Sequence, residues 1–429
     1  MKTTICKSAR CRFAGIIAIA AVMGLLMAGC DNGSPASPPS PPQPPQPPPA
    51  LTFTVTFNSA GGSAVAHQSG IEDGALATEP PPPTRGPAPG LWTGTPQPHT
   101  FNGWHLGGAP FSFSTPITAN ITLTAQWAAP TATPISTVAA NNISAAVLHA
   151  NSNHASSPFT LLLSDDVTVI NVLTIAAGAH LTVVGTDGRR MITRTGNGTI
   201  FTLNGANRSL TLGDNITLAG HGGNNAPLVL VQGGASLTMN NGAQITGNTA
   251  SGNTQAGGVV VTGASVFMMN GGVISGNAST GTLSGGGVRI AGSASFRMYG
   301  GYIENNEARV AFSAIGGGVF LDGEASTFTM LGGTILSNRA PYSSFGAGGV
   351  GINSGALRIV SGVIYGSAGM GNANESIGQA TLRLGVGAMA HRGTLTGGNW
   401  NTASAVELVP GFGSRGTHST IRVVNGVLQ

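Results

Sequence analysis

Four segments of the chain repeat one alternation of apolar and polar positions, opening at Gly257-Gly258-Val259, Gly286-Gly287-Val288, Gly317-Gly318-Val319 and Gly348-Gly349-Val350. The valines fall 29, 31 and 31 residues apart. Inside each repeat a second alternating run carries Phe267, Phe296, Phe328 and Leu357, with Met269, Met298, Met330 and Ile359 two residues later. A third run carries Ile274, Ile303, Ile335 and Ile364, and Asn277, Asn306 and Asn338 follow the first three of these at a constant offset. Fainter copies lie upstream, with Leu181, Leu210 and Leu237 in the second run, Val229 and Val231 in the first, and Asn248 at the turn. Period-two apolar positions in runs this short read as β-strands. One repeat of three such strands cannot bury its apolar side alone, whereas stacked copies can. The pattern therefore predicts an all-β solenoid, a parallel β-helix over residues 135–429. At about 4.8 Å per coil, roughly ten coils would make a rod about 45 Å long. Phe is expected over Phe, Met over Met and Ile over Ile, with a hydrogen-bonded ladder of turn asparagines. The glycine pairs are expected at corners that need positive φ or close backbone approach.

Other patterns frame this one. Phe53, Val55 and Phe57 alternate strictly, then come Gly61-Gly62, Pro83-Thr84-Arg85-Gly86, Phe101-Asn102-Gly103-Trp104, and Ile121, Leu123, Ala125 and Trp127. These predict a small β-module over residues 51–128, with Trp104 and Trp127 closing its core. Between the module and the repeats, Ile143, Ala146, Val147 and Ala150 fall at helical spacing behind Asn141-Asn142. They predict a short helix, N-capped by one of these asparagines, that closes the first coil before Phe159-Thr160-Leu161-Leu162-Leu163.

Composition agrees with an all-β chain. Only 7% of residues are charged, 67 are glycine and 41% are hydrophobic, which excludes both long charged helices and low-hydrophobicity disorder. The net charge of +4 misleads, because four of the 18 basic residues are Lys2, Lys7, Arg10 and Arg12. Without that segment 14 arginines face 14 acids, a balance that argues against nucleic acid as a partner.

The same four cations precede an apolar run from Phe13 to Met27 that ends in Leu26-Met27-Ala28-Gly29-Cys30. Cations, apolar run and small residues in that order read as a secretory signal over 1–29. The last five residues resemble the lipobox of bacterial lipoproteins, which implies acylation of Cys30 as the new N-terminus and anchorage in a membrane. Residues 30–50 then form a stalk. Pro41-Pro42-Gln43-Pro44-Pro45-Gln46-Pro47-Pro48-Pro49 favours polyproline II, and the whole stalk spans roughly 50 Å at about 3.1 Å per residue. Cys6 and Cys11 leave with the signal, so no intrachain disulfide is expected.

The module's ordered motifs resemble the Listeria-Bacteroides repeat, or internalin B-repeat, which implies a β-grasp-like module of bacterial surface proteins. One departure is an insertion, Pro87 to His99, between the Arg-Gly pair and the aromatic strand. The repeats resemble the right-handed β-helix of the pectin-lyase-like superfamily and, more loosely, chlamydial polymorphic outer-membrane proteins. Propellers need longer repeats, leucine-rich repeats are shorter, and calcium-binding nonapeptides need aspartates missing here. The residues after the last clear repeat are fewer than eight membrane strands of about ten residues require, so no membrane barrel is expected.

The superfamily's enzymes use carboxylates from neighbouring coils or a calcium site. Here Glu304 aligns with Ser275 and Leu336, and Asp322 with Thr262 and Asn353. Neither gains a stacked carboxylate. Glu304 with Glu307 and Asp322 with Glu324 are local pairs, read as solvated turn charges. Asp165-Asp166 is expected to point to opposite faces of a strand, and His221 and His391-Arg392 have no partner legible in the sequence. No catalytic residue, cofactor site or metal site is assigned, and the one chemically assigned position is Cys30. The expectation is a lipid-anchored cell-envelope protein, at the outer membrane or cell surface, that displays the β-helix as a non-enzymatic scaffold or adhesin-like binder of a glycan or protein. The alternative is a polysaccharide lyase or hydrolase, or a carbohydrate-binding β-helix. Asp31 bears on inner versus outer membrane without deciding it.

Overall fold

Ile121–Ala128 forms the centre of a five-stranded sheet, flanked by Thr52–Asn58 and then Gln68–Glu72 on one side and by Thr100–Leu106 and then Ala109–Pro110 on the other. The structure is a computed structural model that describes residues 50–129, 132, 134–311, 315–366, 373–376, 382–384, 388–408, 416–417 and 419–429. The predicted alternation is what this sheet uses: Val55, Phe57, Trp104, Leu123 and Ala125 point to one face and are buried together. Phe57 meets Trp104 edge-on at 4.9 Å between ring centroids. Trp104 closes the core as expected, but Trp127 lies half-buried at the rim, where its indole N–H donates to Ser59 O at 2.9 Å.

From Phe159 onward the chain winds into a β-solenoid of about 7 turns. Neighbouring coils pair in parallel and in strict register: Leu181, Leu210, Leu237, Phe267, Phe296, Phe328 and Leu357 form one inward column. Ile192, Leu218, Ile245, Ile274, Ile303, Ile335 and Ile364 form another. The three phenylalanines stack nearly face to face, 4.6 and 4.5 Å apart at 6° and 8°. In-register parallel pairing brings like onto like along the axis, and each buried Phe contributes about 2–3 kcal/mol.

Two expectations need correction, and a third resolves one of its alternatives. The coils number about seven rather than ten, because the last part of the chain adds no coils. It folds back antiparallel instead, Val406–Glu407 on Met389–Arg392, Gly416–Thr417 on Leu382–Leu384, and Ile421–Val424 on Gly362–Ile364. The middle coils hold four strands rather than three, the fourth being two-residue pieces such as Ala278–Ser279 and Glu307–Ala308. The corner glycine pairs have no positive φ. They are required by close approach, since a Cβ on Gly286 would collide with Gly317 O and one on Gly317 with Gly348 O. Positive φ occurs instead before the third strand, as at Gly301 (φ +87°), whose added Cβ would sit 2.9 Å from Met269 Cε.

From Asn224 to Asn374 the corner after the third strand is sealed by an asparagine in each coil. Asn306 Oδ1 accepts from the backbone N of Asn277 at 3.0 Å and from its Nδ2 at 3.1 Å. Asn306 Nδ2 in turn donates to Ile274 O at 2.9 Å and Asn338 Oδ1 at 3.0 Å. The same relay extends to Asn374 at one end and, through Asn248, to Asn224 at the other. All of these side chains are buried. Beyond Asn224 lies Arg194, 3% exposed, whose Nε donates to Gly196 O at 2.9 Å and whose Nη2 donates to Asn197 O. Its Nη1 has no partner among the described residues, and desolvation lowers its pKa.

The first coil is closed twice. The helix Ile143–Ser152 buries Ile143, Ala146, Val147 and Ala150, and Asn142 is its cap, accepting from Ala145 N at 3.0 Å. Asn151 then ties the helix to the coil, donating to Thr174 O and accepting from Ala176 N. The second closure is the module's insertion. Its strand Gly90–Thr93 pairs antiparallel with Phe159–Leu163. Leu91, 1% exposed, belongs to the solenoid's own core, and Trp92 is buried beside it, its indole donating to Ala88 O at 2.9 Å. Thr52–Gln429 is accordingly one compact unit.

Two outcomes follow from this packing. Phe296→Asp places an unpaired charge in the stacked column and is expected to cost upwards of about 4 kcal/mol, whereas Ser293→Asp at an exposed turn shifts stability by less than about 0.5 kcal/mol; thermal melts by circular dichroism should separate the two. Leu91→Asp should expose the first coil's edge while leaving the module's own core intact. Its signature is concentration-dependent association in light scattering, with the near-ultraviolet signal of Trp104 retained.

Candidate functional site

Cys30, the one residue assigned a chemical role from sequence, lies outside the described residues, as do the signal segment and most of the stalk. The structure does place the carboxylates on which any glycan chemistry would rest. Glu304 sits on an outer strand position, between Ser275 and Leu336 in register, as the repeat alignment anticipated. Glu307 turns to Arg309, 2.8 Å away, and not to Glu304.

Asp322 is not a solvated turn charge. The continuous strand Val319–Met330 sets it against Ala291 of the preceding coil and, after a register shift, against Ser354 of the next. There its Oδ2 lies 2.7 Å from Arg289 Nη2, and its Oδ1 accepts from Asn353 Nδ2 at 2.9 Å. The pair is largely shielded, with side-chain exposures of 10% and 17%. A carboxylate so placed has both oxygens engaged and is a poor proton donor or acceptor for a substrate. No local motif marks Arg289, and only the stacking of coils brings it beside an aspartate 33 residues away.

Asp165 and Asp166 lie at a corner rather than within a strand. Asp165 Oδ2 accepts from Asn141 Nδ2 at 2.6 Å, and Asp166 Oδ1 accepts from Met191 N at 2.8 Å. Both therefore brace the capped end. His221 Nε2 lies 3.2 Å from Gly196 O, while His391 lies across from Glu407 in an antiparallel pair and Arg392 donates to Gly426 O at 2.8 Å. Among the described residues no three His, Cys, Asp or Glu side chains come together as a metal site would require.

The outward faces of the solenoid carry polar files. Thr182, Thr211 and Thr238 stack on successive coils, and the same file continues through Met268, Arg297, Thr329, Arg358 and His391. The hairpin Leu395–Thr396 with Asn399–Trp400 stands beside its far end, with the Trp400 ring 5.7 Å from Arg358 Cζ. Such a face presents flat, regularly spaced hydrogen-bonding groups and a few fixed cations, an arrangement suited to contact rather than to proton transfer.

The Listeria-Bacteroides repeat domain matches residues 53–126, the module that holds the strand Gly90–Thr93. That repeat is typical of extracellular or surface proteins. Neither the curated proteins nor the solved structures compared contain a match to the chain.

Replacing Asp322 by Ala leaves Arg289 shielded without its counter-charge and is expected to cost about 1–3 kcal/mol, read as a lower melting temperature. Asp322→Asn, which keeps a hydrogen-bond acceptor for the guanidinium, should recover part of that loss.

Proposed function

We propose that this chain is a cell-envelope lipoprotein, acylated at Cys30, that displays its β-solenoid as a non-enzymatic surface scaffold or adhesin-like binder. In this reading residues 1–29 are a removed signal, 30–50 the lipidated stalk, 51–128 the repeat module and 135–429 the display domain. The observation that carries it is the state of the acids. Asp322, Glu307, Asp165 and Asp166 are each held by a cation, an amide or a backbone N–H, so the solenoid spends them on its own construction. The surface repeat at residues 53–126 supports the same reading, as does the strict order of cations, apolar run and Leu26-Met27-Ala28-Gly29-Cys30 at the N-terminus. Several acyl chains, each methylene contributing about 0.8 kcal/mol, hold such a protein on a membrane.

The anchor and the display role are tested together. Cys30→Ser should abolish fatty-acid labelling and move the protein out of the detergent phase; unchanged mass and partitioning defeat the assignment. A polysaccharide panel incubated with the full chain, with and without calcium, should release no reducing or unsaturated ends. Turnover that disappears in the combined Glu304→Gln, Glu307→Gln, Asp322→Asn and Glu324→Gln variant, with its β-rich circular dichroism retained, would instead make the protein a glycan lyase or hydrolase.

A further inference from the structure

The arginines of the later coils divide into two groups. Arg289, Arg309 and Arg339 are ion-paired with Asp322, Glu307 and Glu375. Arg297, Arg358, Arg383 and Arg392, by contrast, have no carboxylate partner among the described residues; Arg383 lies over the Phe345 ring and Arg392 donates to Gly426 O, while Arg297 and Arg358 stand in one outward file. Register fixes this placement: Arg297 is paired with Thr329, Thr329 with Arg358 and Arg358 with His391. His391 faces Glu407 across an antiparallel pair, so the permanent positive charges of the file are the two arginines. Two coil steps separate them, about 9.6 Å at about 4.8 Å per step.

We infer that the file Arg297, Thr329, Arg358 and His391, with Trp400 as its side wall, is a docking track for an acidic polysaccharide bearing one anionic group per disaccharide. The inference rests on the display reading above and names what the display domain holds. Three features carry it. Parallel register sets the two arginines at a repeat nearly three times the roughly 3.4 Å between phosphates along a nucleic-acid strand, which suits a sparsely charged polymer. Thr329 between them offers a hydroxyl where the polymer offers neutral hydroxyls, in place of a third cation. Trp400 holds Arg358 by a cation–π contact at 5.7 Å and supplies an aromatic surface on which the C–H face of a pyranose packs. Partial burial destabilises the Arg358 charge and pulls its pKa down, a penalty that an arriving anion offsets.

The test uses the full chain in detergent and immobilised hyaluronan, which carries one carboxylate per disaccharide, with neutral dextran and single-stranded DNA as comparators. Hyaluronan should bind, weaken as salt is raised, and outcompete both comparators. Arg297→Gln and Arg358→Gln should each reduce affinity about fivefold, the upper range for an exposed ion pair, and Trp400→Ala should reduce it as well. Arg297→Lys should retain most of the binding, and melting temperatures should show that Arg297→Gln is folded. Hyaluronan bound no tighter than dextran, an affinity unchanged in the double arginine variant, or DNA as the stronger competitor would each overturn the track. A protein that passes the anchoring test yet ignores hyaluronan loses the track alone, and one that fails anchoring yet binds hyaluronan loses only the lipoprotein assignment.

Discussion

A corner in a stacked β-coil has a polarity problem that no single coil can solve. At each turn from the third strand the backbone leaves an N–H and a carbonyl pointing into a space where water is absent, and unpaired groups there cost about 1–3 kcal/mol each. An asparagine side chain solves this because it donates and accepts on the same short stem. Its oxygen takes two donors from the preceding coil, and its nitrogen passes donors both to that coil and to the next asparagine, as Asn306 does between Asn277 and Asn338. An aspartate would stack like charges one coil apart, and a leucine would strand the backbone. From Asn224 to Asn374 the apolar columns stack on corners tied by this buried amide file, which holds successive middle coils to one period.

The same file explains the ends. A file of amides must terminate, and it does so in two different ways. At Asn374 the last Nδ2 turns to Ile335 O and Tyr365 O, which satisfies it. At the other end Arg194 reaches across the corner with a longer side chain and covers two carbonyls, leaving one guanidinium nitrogen unpartnered among the described residues. Strand edges are handled with similar economy: a helix and the inserted strand cover the first coil, and antiparallel returns cover the last. Unprotected, either edge would be a template for another chain.

Which parts of this were legible follows from how each is encoded. The inward columns and the corner asparagines were readable because self-similarity at a fixed offset is a stronger signal than local propensity, and Phe267, Phe296 and Phe328 or Asn277, Asn306 and Asn338 announce themselves. The helix was readable from Ile143, Ala146, Val147 and Ala150. The fourth strand was not, since pieces like Ala278–Ser279 are too short to alternate. Gly90–Thr93 was hidden among prolines and has no counterpart in the repeat pattern, so its role exists only against Phe159–Leu163. Arg289 beside Asp322, and Arg297 in file with Arg358, were illegible for another reason. Outward positions vary from coil to coil, and only the register says which of them are neighbours.

The close approach of Gly286 to Gly317 and of Gly317 to Gly348 has a consequence for how such a protein changes over generations. Because consecutive middle coils meet through the same glycine contact, any of them can be followed by a copy of itself. A tandem duplication in the gene would lengthen the solenoid by one step and leave both unique ends undisturbed. Length is thus a quantised, inheritable variable of this architecture. A duplication between Arg297 and Arg358 would also respace the charges it carries, so recombination alone could retune what the surface recognises without a single new side chain.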